Sequence, residues 1–210
     1  KQEELIEGLA TNFKKFFKKN GKHSTEDYCQ IINHKHFDRV SGYIDSAVSG
    51  GASVVFGGKT DRESRFIEPT LLSNVSTESE VMTEEIFGPI LPILPYESLD
   101  EVVEFINKRH RPLSLYVFSS NKKNQNRLMS ETCSGSFLVN DCVINHANPH
   151  LPFGGINNSG IGSYHGKFGF DELSHHKAVL KSTSLSPFKL MLPPYTPFVE
   201  KLVKMTKKLA

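Results

Sequence analysis

Apolar positions recur at a helical period at the start of the chain, where Leu5, Ile6, Leu9, Phe13, Phe16 and Phe17 share one stripe and lysines and glutamates fill the rest. The spacing predicts an amphipathic helix over residues 1–19, packed on a neighbouring element. A second helix is predicted from Phe37, Val40, Ile44 and Val48. It stops at Gly50 and Gly51, because glycine accepts the left-handed backbone of a helix C-terminus. The apolar run Ser53 to Phe56 is short, is closed by Gly57 and Gly58, and reads as a buried strand.

Beyond residue 90 strand-like and helix-like patterns alternate. Ile90 to Tyr96 reads as a strand that Pro92 and Pro95 restrict to a sheet edge, since proline has no amide hydrogen for a central ladder. Ser98 and Glu101 are spaced as a capping box opening a helix through Val102, Val103, Phe105 and Ile106. Leu113 to Ser119 reads as a strand, Asn121 to Thr132 as a polar helix and Ser136 to Asn140 as a further strand. This alternation implies crossover units, so the expected fold class is α/β, with a mostly parallel sheet covered by helices. Ligands in such folds sit in loops beyond the carboxyl ends of the strands, which directs the search for chemistry to the loops. Lys177 to Ser182 alternates as a strand with one drier face. After it, Ser186-Pro187, Pro193-Pro194 and Pro197 mark an extended C-terminal arm, followed by a short basic helix over Phe198 to Leu209.

Composition narrows the function classes. A chain of 210 residues buries roughly 70% of the surface of its unfolded form, enough for one main domain without staples. The 25 Lys and Arg residues nearly balance the 23 Asp and Glu residues and are interspersed with them, which argues against a nucleic-acid partner. Cys29, Cys133 and Cys142 are odd in number and far apart, and the nine histidines show no ligand spacing, so neither disulfides nor a metal is expected. No apolar run approaches a membrane span, and the charged start KQEELIEG lacks a signal-peptide core. A cytoplasmic setting with reduced thiols and no membrane partner is the expectation.

Two loop motifs carry the chemistry. Glu84-Glu85-Ile86-Phe87-Gly88-Pro89 comes first, and Pro152-Phe153-Gly154-Gly155 with Asn158-Ser159-Gly160 and Gly162 follows. Together with Arg65-Phe66-Ile67-Glu68-Pro69-Thr70 and the stretch YHGKFGFDELSHHKAVL, they resemble the aldehyde dehydrogenases, in particular the class 3 branch acting on fatty and aromatic aldehydes. The resemblance runs from about Leu5 to Thr183. It implies the aldehyde dehydrogenase catalytic-domain fold, an aldehyde substrate and NAD or NADP as cofactor. The implied reaction has a cysteine thiolate attack the aldehyde, a hydride leave for the nicotinamide, and an activated water release the acid.

By the same resemblance Glu85 accepts hydrogen bonds from the ribose next to the nicotinamide, Phe87 edges the nicotinamide, and Phe153 lies against the aldehyde tunnel. The ordinary readings remain beside these: Glu85 as a helix-end carboxylate, Phe87 and Phe153 as core aromatics. The loop Cys142 to His150 is expected at the substrate entrance. Residues 1–176 correspond to part of a catalytic domain and residues 177–210 to an interface strand and arm, which implies a homodimer.

The sequence departs from the family pattern in one respect. No GQ-x-C motif occurs, and none of the three cysteines has its context. The nucleophile, the general-base glutamate, the oxyanion-stabilising asparagine and the nucleotide-binding domain are therefore expected upstream of Lys1, and no catalytic residue is assigned within this chain. Two function classes follow: part of an aldehyde-oxidising enzyme, inactive alone, or a non-catalytic dimerisation or binding module of the same fold.

Overall fold

A computed structural model describes residues 1–19, 22–23, 27–182, 192–193 and 195–206. These residues cluster as two compact units, Lys1–Glu104 and Phe105–Ala210. The first unit opens with α1 (Gln2–Phe17), followed by the short antiparallel pair β1 (Lys18–Lys19) and β2 (Lys22–His23). Next comes α2 (His34–Ser49), capped by the Asn33 side chain, which accepts a hydrogen bond from the His36 amide at 2.9 Å. It ends at Gly50, with the left-handed backbone taken by Gly51 at φ +98°. Strands β3 (Ser53–Phe56), β4 (Thr60–Asp61), β5 (Phe66–Ile67) and β6 (Thr70–Ser73) lead to the single turn α3 (Glu80–Thr83) and to β7 (Ile90–Ile93). The unit boundary falls inside α4 (Leu99–Lys108).

The core of the first unit lies between α2 and the three-stranded sheet β3-β6-β7. The central strand β6 is buried at all four positions. Phe37, Val40, Ile44 and Ala47 of α2 meet Ile67, Leu72, Val81 and Ile90 there. Each of these valine, leucine, isoleucine and phenylalanine side chains contributes about 1.5–3 kcal/mol of burial. β6 and β7 are parallel, with Pro92 opposite Leu72, so the proline does lie on an edge strand. α1 packs on the rest of this unit through Phe13, 5.9 Å from the Phe56 ring, and Phe17, 5.0 Å from Tyr28.

The second unit is built on β8 (Ser114–Val117), α5 (Lys122–Glu131) and β9 (Ser136–Val139). The two strands are parallel neighbours, as their sequence predicts, with Ser114 opposite Ser136 and their hydroxyls 2.7 Å apart. Asn121 caps α5 by accepting from the amides of Lys123 and Asn124. Leu128 of the helix and Val117 of the strand are buried. Beyond β9 come the 3-10 turn Ile144–Ala147, α6 (Gly166–Glu172) and α7 (Pro197–Thr206).

The fold is α/β as expected, with its parallel pairs in two separate small sheets. Some details differ from the sequence reading. The run Ser53 to Phe56 is a strand but not a buried one: as an edge of its sheet it leaves Val54 and Val55 exposed. Val48 points outward, and Ala47 takes the core position instead. Of the capping box only half forms. The Glu101 amide donates to Ser98 Oγ at 3.3 Å, while the Glu101 carboxylate accepts from the Glu97 amide at 3.0 Å, one residue beyond the cap.

Lys177 to Ser182 runs without helix or strand, and Val179 and Leu180 are largely exposed. A lone extended segment needs a ladder partner before its alternation acquires a dry side. Much of the expected proline-marked arm, residues 183–191 and 194, lies outside the described residues, as does the end of the predicted basic helix. Among the described residues no helix is long and apolar enough to cross a membrane.

Candidate functional site

The first candidate loop joins α3 to β7 and carries Glu84 to Pro89. Glu85 and Phe87 are both exposed, Phe87 at 73%. Neither is therefore a core residue, which removes the ordinary reading of Phe87 as core filler. Phe87 sits at φ +46°, a left-handed backbone that costs a bulky residue about 1–2 kcal/mol. Such a conformation persists only where its surroundings over-determine it.

Those surroundings are visible. Arg39, projecting from α2, donates from Nη1 to the Glu85 carbonyl at 3.1 Å and from Nη2 to the Ile86 carbonyl at 2.9 Å. The same guanidinium donates to the Tyr43 hydroxyl at 2.7 Å and stands 5.2 Å from the Tyr43 ring centroid. Gly88 lies so close to α2 that a Cβ there would stand 2.4 Å from Val40 Cγ1. On the far side, the Thr70 amide donates to the Pro89 carbonyl at 2.8 Å, which ties the loop's exit to β6. The backbone is thus fixed at both ends, and the Glu85 and Phe87 side chains are left to solvent.

Beside Gly88 and Pro89 lies a mostly apolar hollow of about 280 Å³, lined also by Phe13, Phe17, Tyr28 and Thr70. Tyr28 donates its hydroxyl to the Ile67 carbonyl at 2.7 Å. Burial, and then the charge of Glu68, hold the Tyr28 phenol well above its ordinary pKa, so the ring stays neutral. Glu68 itself is 4% exposed.

The second candidate loop belongs to the second unit. Phe153 is half-buried and forms an antiparallel bridge with Tyr164: its amide donates to the Tyr164 carbonyl at 3.1 Å, and the return bond is 2.9 Å. Its ring stacks on His165 at 5.7 Å and meets Tyr164 edge-on at 5.5 Å. Phe153, Leu113, Ile161, Glu172 and Leu173 line a hollow of about 400 Å³ with the glycines of the motif. Those glycines are needed for close approach: a Cβ on Gly155 would stand 2.0 Å from the Ser159 carbonyl oxygen, and one on Gly154 would stand 2.1 Å from that of Gly162. In the loop Cys142 to His150, Asn145 is buried and donates to Ser136 Oγ at 2.7 Å.

Glu85 and Phe87 thus share one loop of the first unit, while Phe153 sits in the second. The three cysteines are all exposed. Among the described residues no cluster of three or more His, Cys, Asp or Glu could hold a metal. Arg39, Tyr43 and Tyr28 were not singled out from sequence, and Glu68 only as part of the stretch Arg65 to Thr70. Arg39 and Tyr43 stand four apart within a predicted helix, a spacing that puts them on one face but does not name what that face touches.

The first unit thus presents an exposed carboxylate and aromatic on one clamped loop, and the second unit an aromatic on a glycine-packed loop. The chain belongs to the aldehyde dehydrogenase family, whose model matches residues 2–179. It is 45% identical over 195 residues to a 4,4'-diaponeurosporen-aldehyde dehydrogenase of Staphylococcus aureus, covering 92% of this chain and 41% of that protein. It is 44% identical over 185 residues to a dimeric NADP-preferring aldehyde dehydrogenase of Rattus norvegicus, covering 88% of this chain and 40% of that one.

In structure it resembles a substrate-bound Staphylococcus aureus AldH, with TM-score 0.86 and 43% identity over 98% of this chain and 44% of the other. A Staphylococcus aureus betaine aldehyde dehydrogenase in complex with NAD+ superposes with TM-score 0.69 at 28% identity, over 81% of this chain and 35% of that one. The chain therefore spans about two fifths of the length of these relatives.

Proposed function

We propose that this chain forms the nicotinamide-facing and aldehyde-facing walls of a class 3 aldehyde dehydrogenase, within an NAD(P)-dependent oxidation of aldehydes to carboxylic acids. Residues 1–176 are the catalytic-domain part, and residues 177–210 supply an interface strand and arm. The observation that carries this reading is the clamped loop at Glu85 and Phe87. It holds Phe87 at φ +46° with its ring in solvent, a strained placement of the kind that clusters at ligand-binding sites, beside the exposed carboxylate of Glu85.

The residues fit the cofactor they would hold. An ionised carboxylate has only acceptors to offer, suited to the vicinal hydroxyls of a ribose, and a phenyl face offers flat apolar area to a nicotinamide edge. When bound, the dinucleotide accepts the hydride. Glu85 orients the ribose beside the reacting ring, Phe87 covers that ring's edge against water, and Phe153 supplies an apolar wall for the aldehyde. No GQ-x-C segment occurs within these 210 residues, and the reading assigns the thiolate that attacks the carbonyl to such a segment of a longer protein. A relative carries "dimeric" in its name, and we extend that to this chain through the exposed segment Lys177 to Ser182. A cytoplasmic location is proposed from the sequence alone, on its three unpaired cysteines and the charged stretch KQEELIEG.

The test follows NAD(P)H absorbance with aliphatic and aromatic aldehydes, first for the 210-residue chain and then for the chain joined to an upstream nucleotide domain and GQ-x-C segment. Turnover is expected only from the longer protein. Turnover by the short chain, abolished by serine at Cys29, Cys133 or Cys142, would overturn the placing of the nucleophile. Failure of both would favour the non-catalytic module.

A further inference from the structure

We propose that Arg39 is a positioning residue for cofactor binding: it fixes the two peptide planes preceding Phe87 and thereby sets where Glu85 and Phe87 stand. This rests on the reading of Glu85 and Phe87 as cofactor contacts. The geometry that points to it is a single fork serving three acceptors. Nη1 meets the Glu85 carbonyl at 3.1 Å and the Tyr43 hydroxyl at 2.7 Å, and Nη2 meets the Ile86 carbonyl at 2.9 Å. The Glu85 carbonyl belongs to the peptide entering Ile86, and the Ile86 carbonyl to the peptide entering Phe87. Holding both from one planar group leaves little freedom in the dihedrals between them.

The next residue, Phe87, is the one in the left-handed region. Tyr43, one helical turn from Arg39 and itself buried, supports the guanidinium by its ring face and its hydroxyl. A lysine would keep the charge but lose the fork, since an ammonium is a point donor on a flexible stem. The role is therefore one of geometry rather than of charge.

The prediction separates a positioning role from a generally structural one. Arg39→Lys and Tyr43→Phe are made in the 210-residue chain and in the protein extended upstream. Amide exchange at Ile90, whose amide donates to the Gly88 carbonyl at 2.9 Å, reports on the loop without any activity. NADH fluorescence gives cofactor affinity, and steady-state kinetics give the two KM values. For Arg39→Lys the expected result is exchange at Ile90 faster by about tenfold, NADH Kd and cofactor KM raised by about tenfold, and aldehyde KM unchanged.

Tyr43→Phe is expected to move the same quantities by about threefold. Wild-type exchange and wild-type NADH affinity in folded Arg39→Lys would overturn the proposal, and so would equal increases in both KM values. Glu85→Leu serves as the control. If it leaves NADH affinity untouched while Arg39→Lys still loosens Ile90, the cofactor reading of the loop fails and the clamp itself stands.

Discussion

The two site loops reach order by different means. In the Glu84–Pro89 loop a long side chain reaches in from α2 and takes two backbone carbonyls, so the loop borrows its geometry from the helix. In the Phe153–Tyr164 loop backbone lies directly on backbone, through a bridge of 3.1 and 2.9 Å and glycines with no room for a Cβ. A clamp made by one side chain can be loosened by degrees, and a neighbour can compensate. Backbone packing has no such latitude, because a carbonyl oxygen cannot rotate away from an added methyl. The difference teaches that a glycine can be a packing requirement even where its φ is ordinary: Gly154 and Gly155 are absent from the positive-φ positions, yet neither has space for alanine.

The largest effect follows from this. Gly155→Ala is expected to destabilise the second unit by about 3 kcal/mol, the upper end for forced overpacking, and to break the Phe153–Tyr164 bridge. Denaturant unfolding followed at both units checks it. A loss below about 0.5 kcal/mol, the range of ordinary surface substitutions, would show that this backbone yields as readily as a side chain.

Gly88→Ala tests the other loop with a smaller expected effect, about 2 kcal/mol. The added methyl meets Val40 Cγ1 and Cγ2, side-chain atoms of a fully buried residue, rather than backbone. Pairing it with Val40→Ala removes those atoms. The double variant is expected to be more stable than the sum of the single losses by about 1 kcal/mol. Strict additivity would mean that the loop and α2 are not coupled through this contact.

Much of this was legible in the sequence where periodicity or a motif spoke directly. The helices α1, α2 and α5, the edge character of Ile90 to Ile93 and the β8–β9 parallel pair follow from spacing, proline and turn residues. Strand β6 did not show itself: Thr70 to Ser73 is four residues of mixed polarity between Pro69 and Asn74, too short for a period, although it is the most buried strand of its sheet. The stripe of α1 was readable, but Leu5 and Phe16 on its flank are exposed, since the pattern gives a face and not the width of what covers it. At the site, Glu85, Phe87 and Phe153 came from motifs. Arg39 stayed hidden because its two partners in the loop are carbonyl oxygens, which every residue carries and no sequence pattern marks.

The central claim is that the loop at Glu85 and Phe87 meets the nicotinamide half of the cofactor and no other part. It is tested most directly by comparing NADH with ADP, which carries the pyrophosphate but no nicotinamide ribose, in the protein extended upstream through a nucleotide domain. For Glu85→Leu, NADH affinity by fluorescence is expected to fall about tenfold or more, the worth of a hydrogen bond to a charged group, with ADP affinity by competition unchanged. NADH binding as tight as in the unaltered protein, or an equal loss for ADP, would contradict the account.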